Sequence, residues 1–296
     1  MPRILQIAIA LILVADGGLL YISPGGRLLS MFVSGQSQCT FQRTMESAKS
    51  VLAIQETEAR MNHGSRLVKE EGGLQLWDTP RGQYWLTGGA RNLLSNKYAL
   101  VLAEQDQQIY GAGEHFVHQG DMVLDCGADY GSFTRSALWA GAATVVAIEP
   151  APQKEGCLRR TFAAEIQQGR VIVVPKGVWN KEDTLVLYDD SVVEHRSRTG
   201  VMVPLTTIDK LAADLHLPRV DFIKMDIEGA EKQALEGGRH IIEKFKPRMA
   251  IATEHLADDA EKIPEVIRSI LPAYQTECGP CEYADSHIRP QVLQFF

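Results

Sequence analysis

Short apolar runs alternate with amphipathic stretches along the second half of the chain, from Met122 onward. A run of four or five aliphatic residues predicts a buried strand, and apolar residues at helical spacing predict a helix. The predicted strands are Met122–Asp125, Thr144–Ile148, Val171–Val174, Leu185–Tyr188, Val220–Asp226 and Arg248–Thr253, and the predicted helices are Ser132–Trp139, Gln153–Gln167, Thr207–Leu215 and the segment after Glu231. This alternation predicts a mainly parallel sheet with helices on both faces, which is an α/β fold.

The first half of the chain has a different pattern. Helices are predicted over Thr40–Asn62 and Ala90–Gln107, and between them Leu74–Trp77 and Gln83–Leu86 flank turn-forming residues, which predicts a hairpin. We therefore divide the chain into a hydrophobic N-terminal segment with its linker (1–37), a helical and hairpin extension (38–118) and the main α/β domain (119–296).

The first βαβ unit of the main domain carries candidate chemistry. The strand ending at Asp125 leads into Gly127 and Gly131, and Glu149 closes the next strand 18 residues beyond Gly131. Glycines permit a tight turn and a close ligand, and an acid near this distance holds a ribose in nucleotide-binding units. The third glycine of a dinucleotide fingerprint is missing, and Asp125 would repel a pyrophosphate. The pattern therefore favours a ligand with positive charge, such as the amino group and sulfonium of S-adenosylmethionine.

Four acids lie at or beside the carboxyl ends of predicted strands: Asp125, Glu149, Asp226 and Glu254. Ligands of open α/β sheets bind at this edge, and neighbouring acids repel one another unless a positive or hydrogen-bonding group lies among them. Each acid alone could instead cap a helix, and the adjacent His255 could be a solvated loop residue. For the set of four, the pattern favours a binding site.

Composition limits the classes of function. The chain has 296 residues, 45% hydrophobic and 23% charged, and a net charge of -7, so it lacks the basic footprint of a nucleic-acid-binding protein. Five cysteines are an odd number and Cys126 falls in a predicted core strand, which predicts free thiols and a reducing compartment. Cys278 and Cys281 form a single C-x-x-C, which we interpret as ordinary thiols because zinc needs two more ligands.

Four motifs carry a resemblance to a known family: Asp125–Gly131, Ala147–Pro150, Val203–Asp209 and Asp221–Glu231. They resemble the FkbM-type family of S-adenosylmethionine-dependent methyltransferases over about Gln119 to His255. One departure is Asp129, where asparagine is commoner in the family and where the added negative charge needs solvent or a partner. The resemblance implies a Rossmann-like class I methyltransferase fold with a seven-stranded sheet. It also implies O-methylation of a hydroxyl on a small molecule or glycan, with the segment before residue 110 covering the cofactor site or serving as a structural cap.

The site predicted on this basis has a cofactor side and an acceptor side. The cofactor-binding residues are Asp125, Gly127, Ala128, Asp129, Gly131, Glu149, Pro150, Gly177, Val178 and Asp226. The catalytic candidates are Asp226, Glu228 and His255 as bases, with Lys224 as an electrostatic helper. Asp226 could instead orient the cofactor, and Glu228 could bond the backbone where a helix begins. We assign no metal ligands, because the spacing of Asp226 and Glu254 does not establish a metal site.

Two other functions remain open from the sequence: an oxidoreductase that binds NAD or a nucleotide-sugar, and a catalytically inactive, membrane-tethered scaffold of the same fold. The N-terminal residues 4–22 are nearly all apolar, which favours a membrane anchor over a signal-peptide core or a helix buried against the protein. Because S-adenosylmethionine is made and kept in the cytosol, we expect the main domain to face the cytoplasm. The sequence does not indicate an oligomeric state.

Overall fold

The computed structural model describes residues 39–89, 91–93, 97–187, 200–284 and 287–296. The apolar segment 4–22 and the polar stretch Asp189–Thr199 lie outside these residues. Within them, no helix is both long and apolar enough to span a bilayer.

The described residues form an α/β structure with an N-terminal extension. Helices α1 to α9 span Phe41–His63, Tyr98–Asp106, Ser132–Trp139, Pro152–Thr161, Ala163–Gln167, Ile208–Asp214, Glu231–Glu236, Arg239–Phe245 and Asp259–Ile270. Strands β1 to β15 span Arg66–Glu71, Leu74–Thr79, Gly82–Thr87, Met122–Cys126, Thr144–Ile148, Val171–Val174, Gly177–Val178, Asp183–Leu187, Val201–Thr206, Phe222–Met225, Arg248–Ala252, Thr276–Cys278, Cys281–Ala284, His287–Pro290 and Val292–Phe295.

The central sheet has seven strands among the described residues, in the order β12-β15-β11-β10-β4-β5-β6. The five strands from β11 to β6 are parallel, and β15 runs antiparallel to both β11 and β12. The strand order reverses between β4 and β10, because the chain goes outward from β4 through β5 to β6 and then returns to β10 on the other side of β4. Ligands of such sheets bind at this switch point. The predicted fold, a mainly parallel seven-stranded sheet of the class I methyltransferase type, is confirmed.

Helices cover both faces because successive residues of the central strands point to opposite sides. Val123 and Phe222 pack on one face with Phe133 of α3, whereas Leu124 and Ile223 pack on the other with residues of α6 to α9. Both faces are buried, which explains why these strands read as continuous apolar runs.

The N-terminal extension packs against the main domain. Strands β1 to β3 form an antiparallel sheet, and its Trp77 and Tyr84 share a buried cluster with Tyr98 of α2. Tyr98 makes an edge contact with Tyr130, with ring centroids 5.5 Å apart, and Thr87 Oγ1 lies 2.8 Å from the Tyr130 hydroxyl oxygen. The extension therefore touches the loop between β4 and α3.

Several predicted boundaries differ from the structure. The predicted hairpin is present, but it is preceded by β1, whose side chains are all exposed and so give no alternating signal. Of the helix predicted over Ala90–Gln107, residues 90 and 94–96 lie outside the described residues, and α2 spans Tyr98–Asp106. The helix predicted over 153–167 is divided at Phe162 into α4 and α5. The strand predicted at Leu185–Tyr188 overlaps β8, which pairs antiparallel with β9, and Tyr188 lies outside the described residues.

The prediction of free thiols is correct for three of the five cysteines and wrong for the other two. Cys39 and Cys281 form a disulfide between residues 242 apart in sequence, so Cys281 is not an ordinary thiol. Cys126, Cys157 and Cys278 are free. The cross-link joins the start of α1 to β13, beside an ion pair between Arg43 and Glu277. The odd number of cysteines did not predict this disulfide. The argument from the cysteines for a reducing compartment therefore no longer holds.

Candidate functional site

The loop after β4 has the geometry expected of a close-fitting turn. Gly127 has a φ of +79°, and a Cβ there would lie 1.8 Å from the carbonyl oxygen of Asp226. A Cβ on Gly131, where φ is +92°, would lie 2.2 Å from Phe162 Cε2. Both positions therefore require glycine. Asp129 adopts a φ of +50°, a conformation that Asp and Asn tolerate better than most residues.

Glu149 ties this loop to the end of β5. Its side chain is buried, Oε2 accepts a hydrogen bond from the Asp129 N–H (2.9 Å) and Oε1 accepts one from the Ala151 N–H (2.9 Å). Burial raises the pKa of Glu149, opposed by the nearby Lys154. An ionised carboxylate has about four lone-pair sites. After these two hydrogen bonds, Glu149 therefore retains about two lone-pair sites that can accept hydrogen bonds from hydroxyl groups.

The extra charge at Asp129 has a partner. Lys154 Nζ lies 2.7 Å from Asp129 Oδ1. Burial opposes the charge on Lys154, but Asp129 and Glu149 outweigh it and raise the pKa of the ammonium group. Aspartate at this position is therefore compensated by a lysine on α4.

Asp125 and Lys224 form a buried pair at the ends of β4 and β10. Lys224 Nζ donates to the carbonyl oxygen of Gly127 (2.6 Å) and lies 3.4 Å from Asp125 Oδ1, an oxygen that has no hydrogen-bond partner in the described part of the chain. Thr134 Oγ1 donates to Asp125 Oδ2 (2.6 Å). Burial raises the pKa of Asp125, and Lys224 and Thr134 oppose that rise. Lys224 thus binds the backbone of the loop at Gly127 and lies close to the carboxylates of Asp125 and Asp226.

The other predicted cofactor residues lie around the same edge. The N–H groups of Gly127 and Ala128 both donate to the carbonyl oxygen of Ile148 at 3.0 Å, which fixes the loop against β5. A Cβ on Gly177 would lie 3.9 Å from Pro150 Cβ, so these two residues are neighbours. The side chain of Val178 packs in the hydrophobic core, which leaves its backbone as the part able to contact a ligand.

The acceptor-side candidates converge on Asp226, at the end of β10. Tyr110 donates to Asp226 Oδ2 (2.6 Å), Lys224 Nζ lies 3.9 Å from the same oxygen, and His255 Nε2 lies 3.4 Å from Oδ1. Glu228 Oε2 is 3.7 Å from His255 Nε2, but its side chain is 91% exposed. The structure therefore brings all four predicted catalytic residues together, with Lys224 buried and Glu228 at the surface.

Further carboxyl groups gather here: Glu254, which the sequence places at a strand end, and Glu104 and Glu282, which the sequence pattern does not indicate. Burial and the neighbouring Asp226 raise the pKa of Glu104 to about 7. Burial and the neighbouring Glu282 raise the pKa of Glu254. Glu104 lies on α2 and Glu282 on β13, in segments that carry no recognisable motif. Only the contacts of the folded chain bring them beside the rim of the sheet.

Glu231 is the other residue whose role the sequence analysis missed. It is buried at the start of α7, and one carboxylate oxygen each of Glu231 and Asp259 and a ring nitrogen of His255 could meet at a cation, since these ligand atoms lie within 4.8 Å of one another. Lys232 Nζ, however, lies 2.9 Å from Asp259 Oδ1. This ammonium group already neutralises the aspartate, so we interpret the cluster as an ion-pair network. The spacing Asp226-x-Glu228-x-x-Glu231 was the signal available for Glu231.

Comparison with known families agrees with this geometry. The model of the methyltransferase FkbM domain matches residues 125–279, which is more than half of the chain. The chain belongs to the FkbM methyltransferase family. The match begins at Asp125 and includes every predicted site residue. It extends the similarity seen in the sequence motifs beyond α9 to the end of β12.

Several solved structures of methyltransferases are similar to this chain. An FkbM methyltransferase from Methylobacillus flagellatus KT is 18% identical, with a TM-score of 0.47, and the match covers 89% of this chain and 64% of that one. A precorrin-6y C5,15-methyltransferase from Geobacter metallireducens GS-15 is 14% identical, with a TM-score of 0.38 and coverage of 60% and 80%. The chain thus spans less than two thirds of the M. flagellatus protein. A search of curated protein sequences gave no significant match.

Proposed function

We propose that this chain is an S-adenosylmethionine-dependent methyltransferase that methylates a hydroxyl group of a small molecule or glycan. The observation that carries the proposal is the group of carboxylates at the ends of β4, β5 and β10 around the Gly127 turn. Asp125 offers a buried oxygen without a hydrogen-bond partner in the described part of the chain, and Glu149 retains acceptor capacity. These acids match the positive charge and the ribose of the methyl donor. The family match favours this function over an oxidoreductase.

Different residues would bind the ribose and the amino-acid part of the methyl donor. Glu149 would accept hydrogen bonds from the ribose hydroxyls, and the Gly127 turn with Asp125 would hold the amino-acid part. When bound, S-adenosylmethionine supplies a methyl group that its positive sulfur already activates. Alignment of the acceptor oxygen with that methyl group can then account for much of the rate.

On the acceptor side, Asp226 is the residue best placed to orient the hydroxyl. Tyr110 and Lys224 fix one of its oxygens, and the side chain is 30% exposed, so it can reach a bound molecule. Glu228 and His255 remain proposed partners in removing or holding the proton of the hydroxyl group. The net charge of -7 supports a small-molecule or glycan acceptor over a nucleic acid. Cytoplasmic orientation and attachment through residues 4–22 also remain proposals.

Calorimetry with S-adenosylmethionine and S-adenosylhomocysteine tests the proposal. We expect saturable binding of both, and we expect Glu149→Ala to weaken it by about 10- to 100-fold for each hydrogen bond that the charged group loses. Glu165→Ala, on α5, is the matched control and should bind as the parent chain does. Equal affinity in Glu149→Ala and the parent, with matching circular dichroism, would contradict the assignment. Radiolabelled donor with fractionated cell extract would then identify the acceptor.

A further inference from the structure

Glu231 is a buried carboxylate whose contacts form one end of a chain of polar groups leading to the site. Its residue exposure is 0%, Oε1 accepts a hydrogen bond from the Ile227 N–H (2.9 Å), and His255 Nδ1 lies 3.0 Å from the same oxygen. Oε2 has no hydrogen-bond partner in the described ranges. A charged group at such depth needs a close opposite charge.

His255 supplies that charge and continues the chain of contacts. Its side chain is 13% exposed, and Nε2 lies 3.4 Å from Asp226 Oδ1 and 3.7 Å from Glu228 Oε2. Both ring nitrogens therefore face carboxylate oxygens. Carboxylates accept hydrogen bonds and an imidazolium donates from both nitrogens, so the arrangement fits a ring that carries two protons.

The charges around His255 come from several elements. Glu231 lies on α7, and Asp226 and Glu228 lie in the turn between β10 and α7. On the opposite side, Arg289 on β14 donates to the carbonyl oxygens of Glu254 and Leu256, which flank His255 in the chain. Asp259 on α9 is bound by Lys232. Burial opposes the charged ring, but Glu231, with Asp226 and Glu228, outweighs it and raises the pKa of His255 to about 9.

We propose that Glu231 is a positioning residue that keeps His255 doubly protonated and directed at Asp226. This role rests on the proposed function, because its consequence is to hold Asp226 in place for the acceptor hydroxyl. Glu231 does so twice. It binds the ring of His255, and it also binds the N–H of Ile227, the residue that follows Asp226. The turn that carries Asp226 and Glu228 is thus anchored to α7 by one carboxylate.

The three acceptor-side candidates then have different roles from those expected from the sequence. A doubly protonated His255 has no lone pair with which to accept a proton, so it acts by donating to Asp226. The carboxylates of Asp226 and Glu228 are then the groups that accept hydrogen bonds from an acceptor hydroxyl. Lys224 and Tyr110 hold Asp226 from the other side.

Nuclear magnetic resonance titration of the histidine rings tests this on the full chain without any substrate. The chain has eight histidines, so His255→Asn identifies the resonance of His255. We expect a midpoint of about 9 in the parent chain. In Glu231→Gln it should fall to about 7 or below, toward the ordinary histidine value. Glu231→Asp should keep an elevated midpoint, and Glu236→Gln, at the other end of α7, should match the parent.

Either of two results would overturn the inference: a parent midpoint near 6.5, or a Glu231→Gln midpoint equal to that of the parent. If Glu231→Gln does not fold, the parent and Glu231→Asp midpoints decide. Calorimetry with S-adenosylhomocysteine on the same variants separates this inference from the proposed function. An unchanged affinity with a lowered His255 midpoint supports both. A lowered midpoint in a chain that binds no S-adenosylhomocysteine supports the contact and contradicts the proposed function.

Discussion

At the scale of one residue, Glu104 shows how a buried carboxyl group beside Asp226 affects the stability of the fold. Its carboxyl group accepts a hydrogen bond from Gln291 Nε2 (3.3 Å), and burial together with Asp226 raises its pKa to about 7. In the unfolded chain a glutamate ionises near pH 4.3. Because the folded-state value is the higher one, the contribution of Glu104 to stability is complete below the unfolded value. It is lost as the pH rises through the folded value.

We therefore predict that Glu104→Gln stabilises the protein at pH 8 and not at pH 4. The amide cannot ionise, so the gain at pH 8 should be about 3–4 kcal/mol, because each unit by which the pKa is raised costs about 1.4 kcal/mol. Urea unfolding at the two pH values measures it. Glu56→Gln, an exposed position on α1, is the control and should change stability equally little at both. A Glu104→Gln effect that does not depend on pH would contradict the argument.

Single residues also show where the sequence was informative. Gly127, Gly131 and Glu149 were predictable because local backbone geometry demands glycine and because the spacing of strand ends is regular. The partner of Asp129 was not predictable, since Lys154 reaches it only after α4 has formed. Glu104 and Glu282 were not predictable either, because helix and strand patterns do not show which polar side chain faces the rim.

At the scale of elements, the parallel strands were found because they are buried on both faces and read as apolar runs. The strands after α9 were missed. β12 to β15 are short and alternate with polar residues and prolines, so their pairing depends on tertiary contacts. The break at Phe162 was missed for a related reason. Its buried side chain packs in the cluster with Leu158, and a helical pattern continues across it.

The disulfide is an element-scale constraint, because it links α1 to β13. We predict that Cys39→Ser lowers the free energy of unfolding by up to about 4–5 kcal/mol, since the cross-link closes a very long loop in the unfolded chain. Denaturant unfolding measures the change, and Cys278→Ser, which removes a free thiol, is the control. Alkylation in denaturant should label three thiols without reductant and five with it. Five labelled thiols in unreduced protein would contradict the cross-link.

At the scale of the whole molecule, the extension and the main domain meet at several places. Tyr130, in the loop between β4 and α3, contacts the extension, and Arg43 and Cys39 join the start of α1 to the C-terminal strands. A substitution that loosens the extension should therefore also loosen the main domain, including the loop that we propose binds the methyl donor. The proposed cytoplasmic orientation now depends on the origin of the cofactor alone, because the cysteine pattern no longer supports it.

Ligand binding should consequently stabilise the whole folded chain. At a concentration 100 times the dissociation constant, a ligand that binds only the folded state adds about 2.7 kcal/mol. For a protein of this size that corresponds to a rise of about 5–10 °C in melting temperature. We expect S-adenosylhomocysteine to produce this rise in the parent chain and not in Glu149→Ala, and we expect NAD to produce none. Differential scanning calorimetry measures it. A rise in melting temperature with NAD and none with S-adenosylhomocysteine would instead favour a dinucleotide site. It would mean that the same carboxylates tolerate a pyrophosphate.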